Sequence, residues 1–294
     1  MTRIGPAGWC YKDWAGIVYP AQKPRGFHEL TFLGHYFDTI EINVTFYRPL
    51  ARNMAVNWLR RIEQNKNFLF TAKLWRGFTH ERNASPRDER EFKDGIAPLA
   101  EAARLGALLL QFPWSFRNTQ ENRDYVARLR AQFADYPLVL EVRHASWSEP
   151  GTLDNLEQLD IGLCNIDQPL FKRSIKPSAL ATSAIGYVRL HGRNYQSWFT
   201  ENKHVGERYD YLYSVEELEP WLDRIKTVER AAKDTYIVTN NHYLGKAVVN
   251  AIEISSILKS KPVAAPASLV ERYPELKEFT NSRNGPDQLS LDTA

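Results

Sequence analysis

Short apolar segments recur along the chain, separated by stretches in which apolar residues fall three or four positions apart. Most of the short segments end in a charged or amide residue. The eight segments lie at residues 4–7, 40–43, 70–73, 108–111, 140–143, 163–167, 188–191 and 237–240. The short segments are typical of buried strands, and the spacing between them is typical of amphipathic helices. The pattern therefore predicts eight alternating strands and helices.

Eight strand–helix units predict an α/β fold, a single-domain (β/α)8 barrel of the TIM type. A length of 294 residues suits this fold. We assign residues 1–261 to the barrel and residues 262–294 to a C-terminal extension, which is partly disordered because its last residues are rich in Asn, Ser, Gly and Pro. Two long loops, at residues 75–86 and 192–213, follow predicted strands, and their role is open.

Polar residues occupy alternate positions where the predicted strands end. Side chains alternate between the two faces of a strand, so residues two apart share a face. The pairs are Glu41 and Asn43, Thr71 and Lys73, Glu141 and Arg143, Asn165 and Asp167, Arg189 and His191, and Asn240 and His242. An apolar residue separates the two members of every pair except the last. We expect these pairs to converge inside the barrel at its C-terminal mouth.

A purely structural role for these polar residues is the alternative. Pairs such as Glu141 with Arg143 would then only neutralise one another inside the barrel. Buried ion pairs are poor stabilisers, because taking both charges out of water costs several kcal/mol apiece. Together with the general location of active sites in this fold, this favours a functional mouth.

Aromatic residues are frequent in the segments that follow strands. Six of the eight tryptophans lie there, including Trp9 and Trp147, and Tyr47 joins them. An aromatic rim above a polar floor suits a ligand with flat apolar faces and polar edges, such as a sugar or a nucleobase. The alternative is that these rings pack loops against the barrel, as buried tryptophans often do.

The chemistry of the residues suggests individual roles. Glu141 and Glu41 are candidate general bases, and we assign Glu141 as the base, with Lys73 and His191 as acid or electrostatic partners. Lys73 acting as a Schiff-base amine is an alternative that requires a lowered pKa. Arg143 and Arg189 are expected to bind a carboxylate or phosphate. The remaining candidates for ligand binding are Glu41, Asn43, Tyr47, Gln111, Asp167, Asn240, Asn241, His242, Trp9 and Trp147.

A metal site is considered and not favoured. Glu141, Asp167, His191 and His242 would offer a mixed oxygen and nitrogen ligand set to a divalent cation. Two arginines and a lysine in the same volume oppose a further positive charge, and no HxH or HExxH spacing occurs. The glycines at residues 5–8 lack the spacing of a nucleotide-binding loop. We therefore predict no cofactor.

Charge and composition restrict the partners. The net charge is +3, and the basic residues are scattered along the sequence, whereas nucleic-acid binders usually concentrate them on one face. The two cysteines form no disulfide framework, and no signal sequence or membrane segment is recognisable, so a cytoplasmic location is expected. A small polar or anionic molecule is the expected partner. The oligomeric state is not predicted.

Several blocks of sequence follow one another in order over residues 3–258, and they include Phe37–Asn43, Phe70–Lys73, Gln111–Pro113, Glu141–His144, Tyr187–Gly192 and Asn240–His242. Together these blocks resemble the YecE-like family of unknown function (domain of unknown function seventy-two). The resemblance implies a TIM barrel related to sugar isomerases, with no assigned activity. The run Gly5-Pro6-Ala7-Gly8 lacks the hydroxyl residue common at that point in the family.

The prediction is an enzyme that uses acid and base chemistry on a small sugar-like or anionic ligand at the mouth of the barrel. The alternative is a non-catalytic barrel that binds a ligand or nucleic acid, with the two long loops contacting the nucleic-acid backbone. The substrate and reaction class stay open.

Overall fold

Eight parallel strands form a barrel in the computed structural model, which describes residues 1–149, 151–198 and 207–281. The strands are β1 (Thr2–Pro6), β2 (Thr39–Ile42), β3 (Leu69–Lys73), β4 (Leu105–Gln111), β5 (Leu138–Glu141), β6 (Ile161–Asp167), β7 (Ile185–Leu190) and β8 (Asp234–Thr239). From β2 to β8 each strand pairs with the next along the chain, and β1 pairs with β8. The predicted (β/α)8 fold is confirmed.

The barrel closes between β1 and β2 through a short contact. Ala7 and Glu41 form an isolated parallel bridge, and the Gly8 N–H donates to the Glu41 carbonyl at 2.8 Å. Close approach of the two strands requires glycine at position 5, because a Cβ there would lie 1.8 Å from the Thr39 carbonyl oxygen.

Helices surround the strands. They are α1 (Glu29–Leu33), α2 (Val44–Tyr47), α3 (Arg52–Arg61), α4 (Arg76–Thr79), α5 (Pro86–Glu101), α6 (Gln120–Gln132), α7 (Thr152–Gln158), α8 (Val215–Ala231), α9 (Lys246–Lys259) and α10 (Ala267–Arg272). The segment 75–86, expected to be a loop throughout, contains α4 and the first residue of α5. None of the helices in the described ranges has the length and apolar character needed to cross a membrane.

Local sequence signals explain where the long helices begin. Ser85 and Asp88 form a capping box at the start of α5, and Ser214 and Glu217 form another at the start of α8. The Thr119 side chain accepts a hydrogen bond at the start of α6. These caps satisfy backbone N–H groups in the first turn of each helix and so define where it begins.

Residues 262–281 fold back onto the barrel. Leu269 and Leu276 are fully buried, and the Tyr273 hydroxyl donates to the Leu244 carbonyl at 2.9 Å. Val263 forms a bridge with Thr280. Disorder is predicted for the residues after Thr280, and of these residues 282–294 lie outside the described residues.

Candidate functional site

Arg189 stands at the centre of a buried polar cluster inside the barrel. Its guanidinium donates to Glu141 at 2.5 Å, to Glu41 at 2.6 Å and to Gln111 at 3.2 Å. Arg189 and both carboxylates are fully buried. Strands β2, β4, β5 and β7 supply these residues, so four separated segments of the sequence meet at one point as the alternation predicts.

Glu141 binds two further donors in addition to Arg189. The Arg143 guanidinium donates to Glu141 Oε1 at 2.7 Å, and His191 Nε2 lies 3.2 Å from the same oxygen. Burial opposes ionisation of this carboxyl group, but the neighbouring Arg189, His191 and Arg143 outweigh it and hold its pKa well below the usual range. Glu141 is therefore a fixed anion that orients three neighbours.

His191 has both ring nitrogens engaged. The Asn240 amide nitrogen lies 3.0 Å from Nδ1 and donates to it, so Nε2 carries the proton and donates to Glu141. Burial lowers the pKa of His191 to about 3 despite the adjacent carboxylate, so the ring is neutral at pH 7. A neutral histidine held at both nitrogens is suited to positioning Glu141 and Asn240.

Lys73 differs from the other charged residues of the cluster. Its side chain is buried, and its ammonium group lies 4.4 Å from the centre of the Phe46 ring. Within the described part of the chain this ammonium group makes no hydrogen bond or ion pair. Burial, aided by Arg189, lowers its pKa from 10.5 to about 8. Lys73 thus meets the pKa requirement for an acid–base or imine-forming amine.

Residues that the sequence analysis did not select complete the cluster. The Tyr187 hydroxyl donates to Glu41 at 3.0 Å and lies 2.8 Å from the Thr71 hydroxyl. His80, at the end of α4, packs edge to face against Phe46 at 5.0 Å, and burial with the nearby Lys73 lowers its pKa to about 4. Tyr187 shares the face of Arg189 on β7, a signal that the alternation already contained.

Strand β6 presents the opposite face from the one expected. Asp167 accepts from Arg193 at 2.8 Å and from the Trp221 indole of α8 at 3.1 Å, so it lies outside the barrel. Asn165 likewise bonds to the Leu180 backbone. The side chain that reaches the cluster from this segment is Gln168, which accepts from Arg143 at 3.0 Å.

The residues after β8 divide between the cluster and its rim. Asn240 lies in the cluster, whereas the Asn241 amide donates to the Tyr211 carbonyl and to Asn250, which ties the segment before α8 to α9. His242 stacks on Tyr11 with 4.2 Å between ring centres. Burial lowers the pKa of His242 to about 4, which leaves a neutral ring at the rim.

The aromatic candidates are divided in the same way. Trp147 is buried against Phe116 and donates to its carbonyl at 2.9 Å, so it packs a loop and does not join the cluster. Trp9 meets Trp58 edge to face at 4.9 Å beside a cavity, and Tyr47 is 63% exposed. Trp198, which was not among the selected residues, lies over Arg143 at 5.6 Å from the guanidinium.

Asn43, which the sequence analysis also selected for ligand binding, lies between the buried cluster and the aromatic residues of the rim. It directly follows β2 and donates to the Tyr11 hydroxyl at 3.4 Å. Across the described residues, no group of three or more His, Cys, Asp or Glu side chains is arranged to hold a metal ion. The acids and histidines considered as metal ligands are separated, because Asp167 faces α8 and His242 faces Tyr11.

Comparison with known proteins identifies the family. Residues 3–272 match a family described as protein of unknown function DUF72. The chain belongs to the DUF72 family. This confirms the resemblance seen in the sequence. No curated protein is significantly similar to the chain.

Solved structures of DUF72 proteins have the same fold. A Thermotoga maritima member, TM1631, is 33% identical, with a TM-score of 0.77, over 88% of this chain and 99% of its own. An Enterococcus faecalis member, EF0366, is 24% identical, with a TM-score of 0.76, over 88% of this chain and 96% of its own. These relatives establish the barrel, and their descriptions name no activity.

Proposed function

We propose that this DUF72 protein is an enzyme that transfers a proton to or from a small anionic ligand bound at the mouth of the barrel. The observation that carries the proposal is the buried amine of Lys73, which has no hydrogen-bonding or ionic partner within the described residues. The contact with the Phe46 ring leaves the three N–H donors of the ammonium group without an acceptor in the described residues.

The charges around Lys73 favour an anionic ligand. Two carboxylates, Glu41 and Glu141, face three cationic side chains, Arg143, Arg189 and Lys73. With Lys73 protonated the cluster has one positive charge in excess, and an unpaired charge is costly to bury. The carboxylate or phosphate of a ligand would remove this excess.

Arg143 is suited to contact the same anion. Its side chain is 14% exposed, whereas Arg189 is fully enclosed. Its two terminal nitrogens bond to Glu141 and Gln168, and in the described part of the chain its Nε has no partner. Arg189 Nε also lacks a partner there, but that side chain is fully buried, so Arg143 and Lys73 are the cations better placed to meet a ligand.

The lowered pKa of Lys73 supports its assignment as the proton-transfer group. A pKa of about 8 leaves both forms of the amine populated near neutral pH, which is what general acid–base catalysis requires. Glu141, assigned as the base from the sequence, is better suited to holding Arg143, Arg189 and His191 in place. His191 then positions Glu141 and does not exchange protons itself.

Proton exchange with solvent provides the test. Sugar phosphates, sugar acids and keto acids would be incubated with the protein in D2O, and loss of carbon-bound hydrogen would be followed by proton NMR. We expect exchange in at least one compound. In Lys73→Met the exchange rate should fall by a factor of about 100 or more. The control is Lys66→Met, which removes an exposed lysine and should leave the rate unchanged.

Other outcomes separate the alternatives. An equal rate in the wild type and in Lys73→Met would contradict the assignment of Lys73. Binding without exchange in any compound would favour a non-catalytic barrel. Binding of single-stranded RNA that weakens steeply as salt rises would favour the nucleic-acid alternative.

A further inference from the structure

A cavity of about 450 Å³ adjoins the mouth, between the segment after β1 and helix α3. We propose that it receives an aromatic or branched apolar group of the same ligand, so that the substrates are arylalkyl or branched-chain carboxylates and related anions. This inference deepens the proposed function and rests on it for the position of the anionic group.

The walls of the cavity are largely apolar. Trp9 and Trp58 meet edge to face at one side, and Val44 and Met54 extend the apolar surface. Small-molecule pockets of roughly 300–1,000 Å³ are lined in this way, with a few polar groups that fix orientation. A sugar would leave most of its hydroxyl groups without partners against these walls, whereas a phenyl ring would not.

Helix α2 links the cavity to Lys73. Phe46 lies under the Lys73 ammonium group at 4.4 Å, and the next residue, Tyr47, lines the cavity. The Thr45 hydroxyl donates to the Lys73 carbonyl at 2.7 Å, which fixes the helix to the end of β3. Adjacent residues of one short helix therefore contact the Lys73 amine and the cavity, which places the two next to each other.

Tyr11 and Asn43 form the boundary on the other side. Both line the cavity, and their side chains are hydrogen bonded to each other at 3.4 Å. Asn43 lies two residues after Glu41, which belongs to the buried cluster. At the end of β2 and in α2, residues that line the cavity thus lie one or two positions from residues of the charged cluster. Two subsites of one binding site are arranged in this way.

The test compares two carboxylates with the same charge, propionate and 3-phenylpropionate, by calorimetric titration. Each buried methylene-sized group is worth about fourfold in affinity, so the phenyl group should increase affinity at least tenfold. Met54→Trp fills the cavity and should reduce this ratio to twofold or less, with propionate affinity unchanged. Equal affinities in the wild type, no binding of either acid, or an unchanged ratio in Met54→Trp would overturn the proposal.

A second cavity of about 270 Å³ supplies the matched control. It lies outside the barrel wall and is lined by Leu153 and Leu163. Leu153→Trp should leave both affinities at wild-type values. If Met54→Trp does not fold, alkylation of Cys10, an exposed thiol at the cavity wall, provides an independent measurement. We expect 3-phenylpropionate to slow this alkylation and propionate to leave it unchanged, and equal rates would contradict the proposal.

Failure of this inference and failure of the proposed function are distinguishable. One outcome is that the wild type exchanges no proton, yet Met54→Trp abolishes the preference for 3-phenylpropionate. This would support the proposal of an apolar subsite and contradict the proposed enzymatic function. Proton exchange that depends on Lys73, with no preference for the phenyl group, would support the enzyme and contradict the cavity.

Discussion

Replacing Lys73 by Met should stabilise the folded protein at neutral pH. Burial lowers the pKa of this amine from 10.5 to about 8, so the folded state disfavours the protonated form. A tenfold change in proton affinity corresponds to about 1.4 kcal/mol, and the shift therefore costs about 3 kcal/mol of unfolding free energy. Lys73→Met removes the charge, and its side chain of similar length can still pack on Phe46.

The same argument fixes the pH dependence. Below pH 8 the amine is protonated in both folded and unfolded states, and the full cost is present. Between pH 8 and pH 10.5 the unfolded chain binds more protons than the folded chain, so the stability of the wild type rises with pH. Above pH 10.5 the amine is neutral in both states, and the advantage of Lys73→Met should disappear.

Urea denaturation at pH 7 and at pH 10 measures this difference. The gain in Lys73→Met should approach 3 kcal/mol at pH 7, by the conversion above, and should shrink at pH 10. Lys66→Met serves as the control for removing a charge, and its stability should follow the wild type at both values. A loss of stability in Lys73→Met at pH 7, or a difference that does not change with pH, would refute the reasoning.

Three further substitutions test other parts of the structure by urea denaturation. Glu141→Gln leaves Arg143 and Arg189 without a common anion, so the free energy of unfolding should fall by about 3–5 kcal/mol. A change below about 1 kcal/mol would show that this network does not stabilise the fold. Asp167→Asn weakens the hydrogen bond from Trp221, so the free energy of unfolding should fall by about 1–3 kcal/mol. The affinity for 3-phenylpropionate should stay unchanged, and a loss of affinity would place Asp167 in the binding site. Burial raises the pKa of Glu253 to about 7, so the folded state binds more protons between pH 4.5 and pH 7, and stability falls as pH rises through this range. The free energy of unfolding of Glu253→Gln should therefore exceed that of the wild type by up to about 3 kcal/mol at pH 8 and equal it near pH 4.5. An equal difference at both pH values would contradict this.

The alternation of side chains predicted most of the buried cluster. Glu41, Glu141, Arg189 and His191 meet because each lies on the inward face at the end of its strand. This inference needs only the two-residue period of a strand and the parallel arrangement. Both follow directly from the sequence pattern.

Strand β6 shows where the alternation is insufficient. All seven of its residues are buried, so both faces are enclosed and polarity does not identify the inner one. Asn165 and Asp167 are satisfied by Leu180 and Trp221, which lie 15 and 54 residues further along the chain. Partners this distant cannot be assigned from the local pattern.

Short helices account for the other residues that were missed. Phe46 lies under Lys73, and His80 packs against Phe46, because α2 and α4, each of four residues, place them there. Helices of one turn have no recognisable apolar period. Trp147 shows the converse, since a tryptophan after a strand can equally pack a loop.

The titration of Lys73 tests the central claim most directly. Competitive acetylation from pH 6 to pH 11, with each lysine quantified by mass spectrometry, compares it with the exposed Lys66. We expect half-maximal labelling of Lys73 near pH 8 and protection of Lys73 by 3-phenylpropionate, with no such protection of the exposed Lys66. A midpoint for Lys73 at or above pH 10, or labelling that no anion reduces, would contradict the claim that the Lys73 amine has a lowered pKa and binds an anionic ligand.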